Sequence, residues 1–309
     1  MTAWGTDRIQ LTGRSSDMEI LVAKNAGFCF GVKRAVETVY RELSSGDAIY
    51  TYGPIIHNEE VVGDLLRRGV KIIEGIDELK KLGKENCTKK STKPPCVIIR
   101  SHGASREVHD IIKNNGLRLV DATCPFVAKI QKTVEEESRK GRTIIIIGNA
   151  RHPEVEGITG WSHSAPIVVE TREEAESVDL SRDTPVSVVA QTTFNFNKFQ
   201  ELVEIFLNNW YDISTVNTIC NATETRQTEA LRMARDVDVM LVAGGAKSSN
   251  TQKLYEICSR ECKYTYFIQT AEDLKDMDFS KVGRLGVTAG ASTPNNIIEE
   301  ILNYVRANI

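Results

Sequence analysis

No long hydrophobic run interrupts this sequence of 309 residues. Its most concentrated apolar stretch, Ile144 to Ile147 with its flanks, is far shorter than the roughly 20 residues that a membrane-spanning helix needs, so no membrane partner is expected. The first residues, MTAWGTDRIQLTGRSSD, lack the apolar segment of a secretory signal, and a cytoplasmic location is expected. Basic residues are not in excess either. Lys and Arg number 39 against 42 Asp and Glu, a formal charge of −3, which speaks against a nucleic-acid partner and for a small-molecule substrate. Extremes of composition are also missing. With 41% hydrophobic and 26% charged residues, the chain has the balance of an ordinary globular protein with room for two or three domains. Met18 opens directly into the strand-like EILVA, so residues 1–17 are expected to be a leader or a cloning remnant outside the fold.

What is present is cysteine, seven in all. Without an export signal these should stay reduced, which favours metal ligation or catalysis over disulfides. Three of them mark a repeat. Glu19 to Ala23 leads to Cys29, Arg118 to Asp121 to Cys124, and Ser214 to Thr218 to Cys220, the successive cysteines lying 95 and then 96 positions apart. After the first two, Val32, Ala35 and Val39 match Val127, Ile130 and Val134 in offset on one helical face. The third helix, near Ala230 and Ala234, begins more polar. Gly53, Gly148 and Gly244 each end a short apolar strand 24 residues past their cysteine, and His57, His152 and Ser248 follow four residues later. A further strand then leads into Ser101-His102-Gly103, Gln191-Thr192-Thr193 or Thr288 to Ser292.

Strands alternating with helices predict α/β units with small parallel sheets, whose ligands gather outside the carboxyl ends of the strands. Three pseudo-symmetric units are expected around one centre: 18–117 with Cys29, 118–213 with Cys124, and 214–309 with Cys220, the C-terminal helix packing on the first. Lys80 to Pro95 reads as an exposed inserted loop. Cys87 and Cys96 receive no role, and Cys258 with Cys262, one helical turn apart, reads as helix packing.

A cysteine beside a helix N-terminus is favoured as thiolate, a good ligand for soft metals. Any one of these cysteines alone reads as a small buried hydrophobe; the repeat is what favours joint ligation by Cys29, Cys124 and Cys220. Three thiolates suit a 4Fe-4S cluster with one iron left open for substrate, whereas zinc held by three cysteines and a histidine is the competing site. Spacing does not choose between them. His57, His102, His152, Ser248, Ser249, Asn250 and Ser292, each just past a strand-like run, form a set of donors suited to a phosphate or diphosphate. Glu154, two residues from His152, is placed to become a proton donor if its pKa is raised.

The segments AGFCFGVKRAV, GPIIHNEEVV, RSHGAS, DATCPFV, RHPEVEG, QTT, CNATETRQ, SSN and TAGAS resemble the 4-hydroxy-3-methylbut-2-enyl diphosphate reductase family, known as LytB or IspH, from about Met18 to the C-terminus. The resemblance implies a three-lobed α/β protein whose central 4Fe-4S cluster is held by Cys29, Cys124 and Cys220. It implies reductive dehydroxylation of an allylic alcohol diphosphate to isopentenyl and dimethylallyl diphosphate, the end of the non-mevalonate route. It also implies that His57, His102, His152, Ser248, Ser249, Asn250 and Ser292 hold the diphosphate, that Thr192 and Glu154 lie near the substrate hydroxyl, and that Thr223 sits close to the cluster ligand. The electron donor it implies is ferredoxin or flavodoxin. One departure is Lys247 directly before Ser248, where the family usually has lysine and then asparagine ahead of the serines. The rival readings are a different three-domain cluster enzyme, such as quinolinate synthase, and a structural zinc module.

Overall fold

A computed structural model describes residues 18–89, 93–210 and 212–308; the expected leader, residues 1–17, lies outside them. In chain order, β1 (Glu19–Val22) and α1 (Phe30–Leu43) precede β2 (Ile49–Tyr52), α2 (Glu59–Arg67), β3 (Lys71–Ile73), α3 (Ile76–Lys89), β4 (Cys96–Ile99), α4 (Arg106–Asn114) and β5 (Arg118–Asp121). Next come α5 (Pro125–Arg139), β6 (Thr143–Ile147), α6 (Pro153–Thr159), β7 (Ile167–Val169), α7 (Arg172–Glu176), β8 (Val186–Ala190), α8 (Phe196–Asn209) and β9 (Ile213–Thr215). The chain ends with α9 (Asn221–Arg235), β10 (Val239–Ala243), α10 (Ser249–Glu261), β11 (Tyr264–Ile268), a 3₁₀ turn (Ala271–Leu274), β12 (Arg284–Ala289) and α11 (Asn295–Ala307).

These strands form three four-stranded parallel sheets with one topology: β3-β2-β4-β5, β7-β6-β8-β9 and β11-β10-β12-β1. The fold is therefore α/β with three pseudo-symmetric sheets. One backbone hydrogen bond recurs in all of them: the amides of Gly53, Gly148 and Gly244 donate to the carbonyls of Ile73, Val169 and Ile268, each at 2.8 Å. The central strands are predominantly apolar because helices cover both faces of a parallel sheet. Ile144, Ile145, Ile146 and Ile147 in β6 are fully buried, at about 1.5–3 kcal/mol of hydrophobic stabilisation per side chain.

The sheets divide the chain at different points from the expected boundaries. Arg118–Asp121, read as the opening of the second unit, pairs with β4 and closes the first sheet. Ile213–Thr215 likewise closes the second sheet, and Glu19–Val22 pairs with β12 in the last. A sequence repeat fixes the period of such a structure but not its phase, since a strand bonds to whichever strand lies beside it in space. The chain accordingly separates into two compact units, Phe30–Cys220, holding two sheets, and Met1–Cys29 with Asn221–Ile309, holding the third. Helix α11 covers this third sheet through Ile297, Ile298, Ile301, Leu302 and Val305, packing against Val239, Leu241 and, from β1, Ile20.

A second correction concerns Lys80 to Pro95. Its first ten residues belong to α3, which inserts Leu79 into a core with Ile73, Val108 and Ile112, with Ile76 and Leu82 packed against it. The apolar positions Ile76, Leu79 and Leu82 recur at helical spacing, a signal masked in the sequence by the lysines between them.

Candidate active site

Each cysteine of the repeat sits past the end of an edge strand, and its backbone is fixed in the same way three times. The amides of Cys29, Cys124 and Cys220 donate to the carbonyls of Ala291 (3.2 Å), Ser101 (2.9 Å) and Thr192 (3.1 Å). Every acceptor lies two residues beyond the adjacent strand, β12, β4 or β8. All three cysteines are half-buried, and none is in a disulfide among the described residues. Cys124 is the N-cap of α5, with Pro125 in its first turn, at the positive end of the helix dipole. In the same unit the α1 backbone lies against the Cys124 sulfur: a Cβ on Gly31 would come within 2.4 Å of Cys124 Sγ. The remaining cysteines differ. Burial pushes the Cys96 and Cys258 thiols up to about 11 and about 12, Cys262 Sγ donates to the Asp238 carbonyl at 3.5 Å, and Cys87 is exposed.

In the Phe30–Cys220 unit, the turns after β2, β4 and β6 bring three histidines together. Ring centroids of His57 and His102 are 4.7 Å apart, those of His57 and His152 5.7 Å, and those of His102 and His152 5.2 Å. Their ring nitrogens lie within 4.8 Å of one another, close enough for a metal ion as well as for an anion. His102 rides on a tight turn that Gly103 closes at φ 75°. His152 caps α6, its Nδ1 accepting from the Glu154 amide at 3.1 Å. A nitrogen that accepts cannot carry the proton, so neutral His152 holds its proton on Nε2, as a donor. Burial lowers the His102 pKa well below its ordinary value, and its histidine neighbours lower it further. Burial, then His57 and Arg100, bring His152 down to about 3. Both rings are neutral donors near pH 7.

Glu154 follows on α6 and is 1% exposed. Its Oε1 accepts from the Thr192 amide at 2.6 Å and its Oε2 from Thr192 Oγ1 at 2.7 Å. Burial outweighs these two bonds and raises the carboxyl to about 7, so Glu154 can hold or release a proton near neutrality. Thr192 thus joins Glu154, through its amide and hydroxyl, to Cys220, through its carbonyl.

The terminal unit repeats that frame with different side chains. Ser248 caps α10, accepting from the Thr251 amide, and Ser292 Oγ donates to Ser248 Oγ at 3.2 Å. Asn250 Oδ1 accepts from the Ala291 amide at 2.9 Å, and the Ala291 carbonyl accepts from Cys29. Asn250 Nδ2 is buried with no hydrogen-bond partner among the described residues. Ser249 is half-buried beside it, and Thr223 is buried in the first turn of α9. Lys247, the departure from the family pattern, is exposed, and Gln252 Nε2 bonds the Ala246 carbonyl beneath it at 2.7 Å.

Several residues that position the cysteines escape sequence reasoning. The polar start of α9 has a structural purpose: Arg226, buried, donates to the Ala289 carbonyl at 2.8 Å. Glu229 accepts from the Lys24 and Asn25 amides at 2.7 and 3.0 Å, fixing the turn ahead of Cys29. Although partial burial would raise its pKa, those bonds hold the Glu229 carboxyl below its usual range. Arg34 on α1 does the same for Cys124, donating to the Thr123 carbonyl at 2.7 Å. The signal was available only as charge on an otherwise apolar helical face.

The family model described as LytB protein matches residues 20–306. A 4-hydroxy-3-methylbut-2-enyl diphosphate reductase of Thermoanaerobacter sp. (strain X514) is 44% identical over 291 residues, 94% of this chain and 97% of the relative. The protein of that name from Clostridioides difficile (strain 630) is 41% identical, covering 93% and 99%. Among solved structures, the E-1-hydroxy-2-methyl-but-2-enyl-4-diphosphate reductase of Plasmodium falciparum superimposes with a TM-score of 0.84 at 27% identity, over 93% of this chain and 87% of that one. A structure of (E)-4-hydroxy-3-methyl-but-2-enyl diphosphate reductase, described as the terminal enzyme of the non-mevalonate pathway, gives 0.66 at 38% identity, over 94% and 100%.

Proposed function

The chain belongs to the LytB protein family, and from that premise we propose how its residues serve as a 4-hydroxy-3-methylbut-2-enyl diphosphate reductase, an oxidoreductase of the non-mevalonate isoprenoid route. The substrate takes up two electrons and two protons, its allylic C–O bond breaks, and water leaves with isopentenyl or dimethylallyl diphosphate as the other product. Family membership decides against a quinolinate synthase type of enzyme. Within the structure, the observation that carries the reading is the buried carboxyl of Glu154, poised near neutrality two residues from a cluster of three histidines.

The family is one of iron–sulfur enzymes, and the finer proposal is one 4Fe-4S cluster held by Cys29, Cys124 and Cys220 with one iron free of protein ligands. The residues suit such a group. All three are outside any disulfide and stand on equivalent backbone anchors, and Gly31 leaves space beside Cys124 Sγ that any side chain would fill. When bound, the cluster supplies the electrons and a Lewis-acidic iron for the departing hydroxyl. In the Phe30–Cys220 unit, His57, His102 and His152 hold diphosphate oxygens, with His152 donating from Nε2. In the terminal unit, Ser248, Ser249, Asn250 and Ser292 do so, and the buried Nδ2 of Asn250 supplies a donor that has no partner among the described residues. Glu154 delivers a proton, Thr192 orients the substrate hydroxyl and holds the carboxyl in place, and Thr223 lines the first turn after Cys220. Ferredoxin or flavodoxin supplies the electrons. No helix among the described residues is long and apolar enough to cross a membrane.

Anaerobic purification followed by iron and acid-labile sulfide analysis tests the cluster, with about four irons per chain expected. One zinc and no sulfide would instead identify a structural metal. Turnover of the allylic hydroxy diphosphate by the reduced protein to both isoprenoid diphosphates tests the activity.

A further inference from the structure

Arg100 is the residue of the histidine site that the reading above leaves unexplained. It ends the strand run of β4 and precedes the turn that carries His102. Its side chain is half-buried, and among the described residues its buried Nε has no hydrogen-bond partner and its guanidinium forms no ion pair. The one contact recorded for the guanidinium is with an aromatic face, 5.9 Å over the Tyr52 ring. Glu156, Tyr52 and Glu74 reach it only as distant charges. Gly53 makes room for it, since a Cβ there would lie within 2.2 Å of Arg100 Nη1, and Gly53 opens the loop that leads to His57. The cation is therefore wedged between the two turns that present His57 and His102.

A buried guanidinium with no counter-charge is costly unless an anion arrives to match it. Burial also lowers the Arg100 pKa, as expected for a cation with no acid beside it. His102 and His152 are neutral donors, so they offer hydrogen bonds but no fixed positive charge. Arginine remains charged at any working pH and meets phosphate oxygens with a planar fork.

We propose that Arg100 is the fixed positive charge of the diphosphate site, unpaired in the free protein and matched by the substrate's diphosphate on binding. The inference rests on the diphosphate reading of the three histidines and adds to it the group that balances the substrate's charge.

The test uses the cluster-loaded protein and inorganic diphosphate as probe, measured by calorimetry at several salt concentrations, beside substrate KM and kcat. Arg100→Met is expected to weaken inorganic diphosphate at least tenfold and to raise substrate KM by a similar factor, with a smaller change in kcat. The salt dependence of binding should become shallower. Arg100→Lys should recover part of the affinity, because it returns the charge without the fork. Equal diphosphate affinity and salt dependence in wild type and Arg100→Met would overturn the proposal. So would weakened binding that Arg100→Lys does not relieve at all, which would mark Arg100 as a packing element of the two turns. If wild type itself fails to bind inorganic diphosphate while turning over no allylic diphosphate, the functional reading fails first.

Discussion

The two halves of the proposed chemistry share one backbone device and differ by one functional group. In the Phe30–Cys220 unit, Glu154 accepts from the Thr192 amide while the Thr192 carbonyl accepts from Cys220. In the terminal unit, Asn250 accepts from the Ala291 amide while the Ala291 carbonyl accepts from Cys29. In the repeat, Glu154 stands 30 residues past Cys124 and Asn250 30 residues past Cys220. Carboxyl and amide can make the same bond to a backbone N–H, so the frame accepts either. Only the carboxyl can give up a proton, and only the amide leaves an NH₂ to donate, here buried and without a hydrogen-bond partner among the described residues. On the proposed reading, one scaffold serves proton delivery in one unit and anion binding in the other by exchanging an acid for its amide.

Removing a cysteine tests whether the two frames are equivalent. Cys29→Ser and Cys220→Ser should each abolish turnover and strip iron from the purified protein to a similar degree; a variant that keeps its iron would break the equivalence. Glu154→Gln turns the first frame into a copy of the second. It should keep the cluster spectrum and diphosphate affinity yet lose about 10²–10⁴ in kcat. In the wild type, kcat should fall as pH rises past about 7, when Glu154 loses its proton, and that limb should vanish from the residual activity of the variant.

The reverse exchange, Asn250→Asp, places a carboxylate where the amide donates. Substrate KM should rise roughly tenfold or more, equivalent to ~1.4 kcal/mol of repulsion. A smaller effect is readable without substrate. An unfolded chain protonates His152 near pH 6.5, whereas the folded one resists until about pH 3. The unfolded state binds more protons in that window, so stability falls as pH falls through it. His152→Asn should reduce this acid sensitivity by an amount on the order of 1–3 kcal/mol, followed by urea unfolding at pH 7 and pH 5. Least affected should be Ser248→Ala. Its cap on α10 is long at 3.4 Å, and its loss should cost about 0.5–1 kcal/mol in the same assay.

The repeat was legible because strands and helices advertise themselves locally. Val186–Ala190 and Arg118–Asp121 were read at their observed limits, and the offsets of Gly53, Gly148 and Gly244 mark one hydrogen bond made three times. Helix α3 was not legible, since lysines and a glycine hide its buried Leu79 and the partly buried Ile76 and Leu82. Neither were Arg226, Glu229 and Arg34, whose polarity on helical faces has no meaning until the turns that they hold lie beside them.

The sequence by itself determined the period of the fold, the positions of the cysteines and the chemical types at the strand ends, because these follow from local pattern and spacing. The tertiary structure alone decided which sheet each strand closes, since pairing joins segments up to 265 residues apart, as with Glu19 and Arg284. It also decided the protonation of Glu154 and His152, because burial sets the balance between charged and neutral forms, and no single residue carries its own burial in its name.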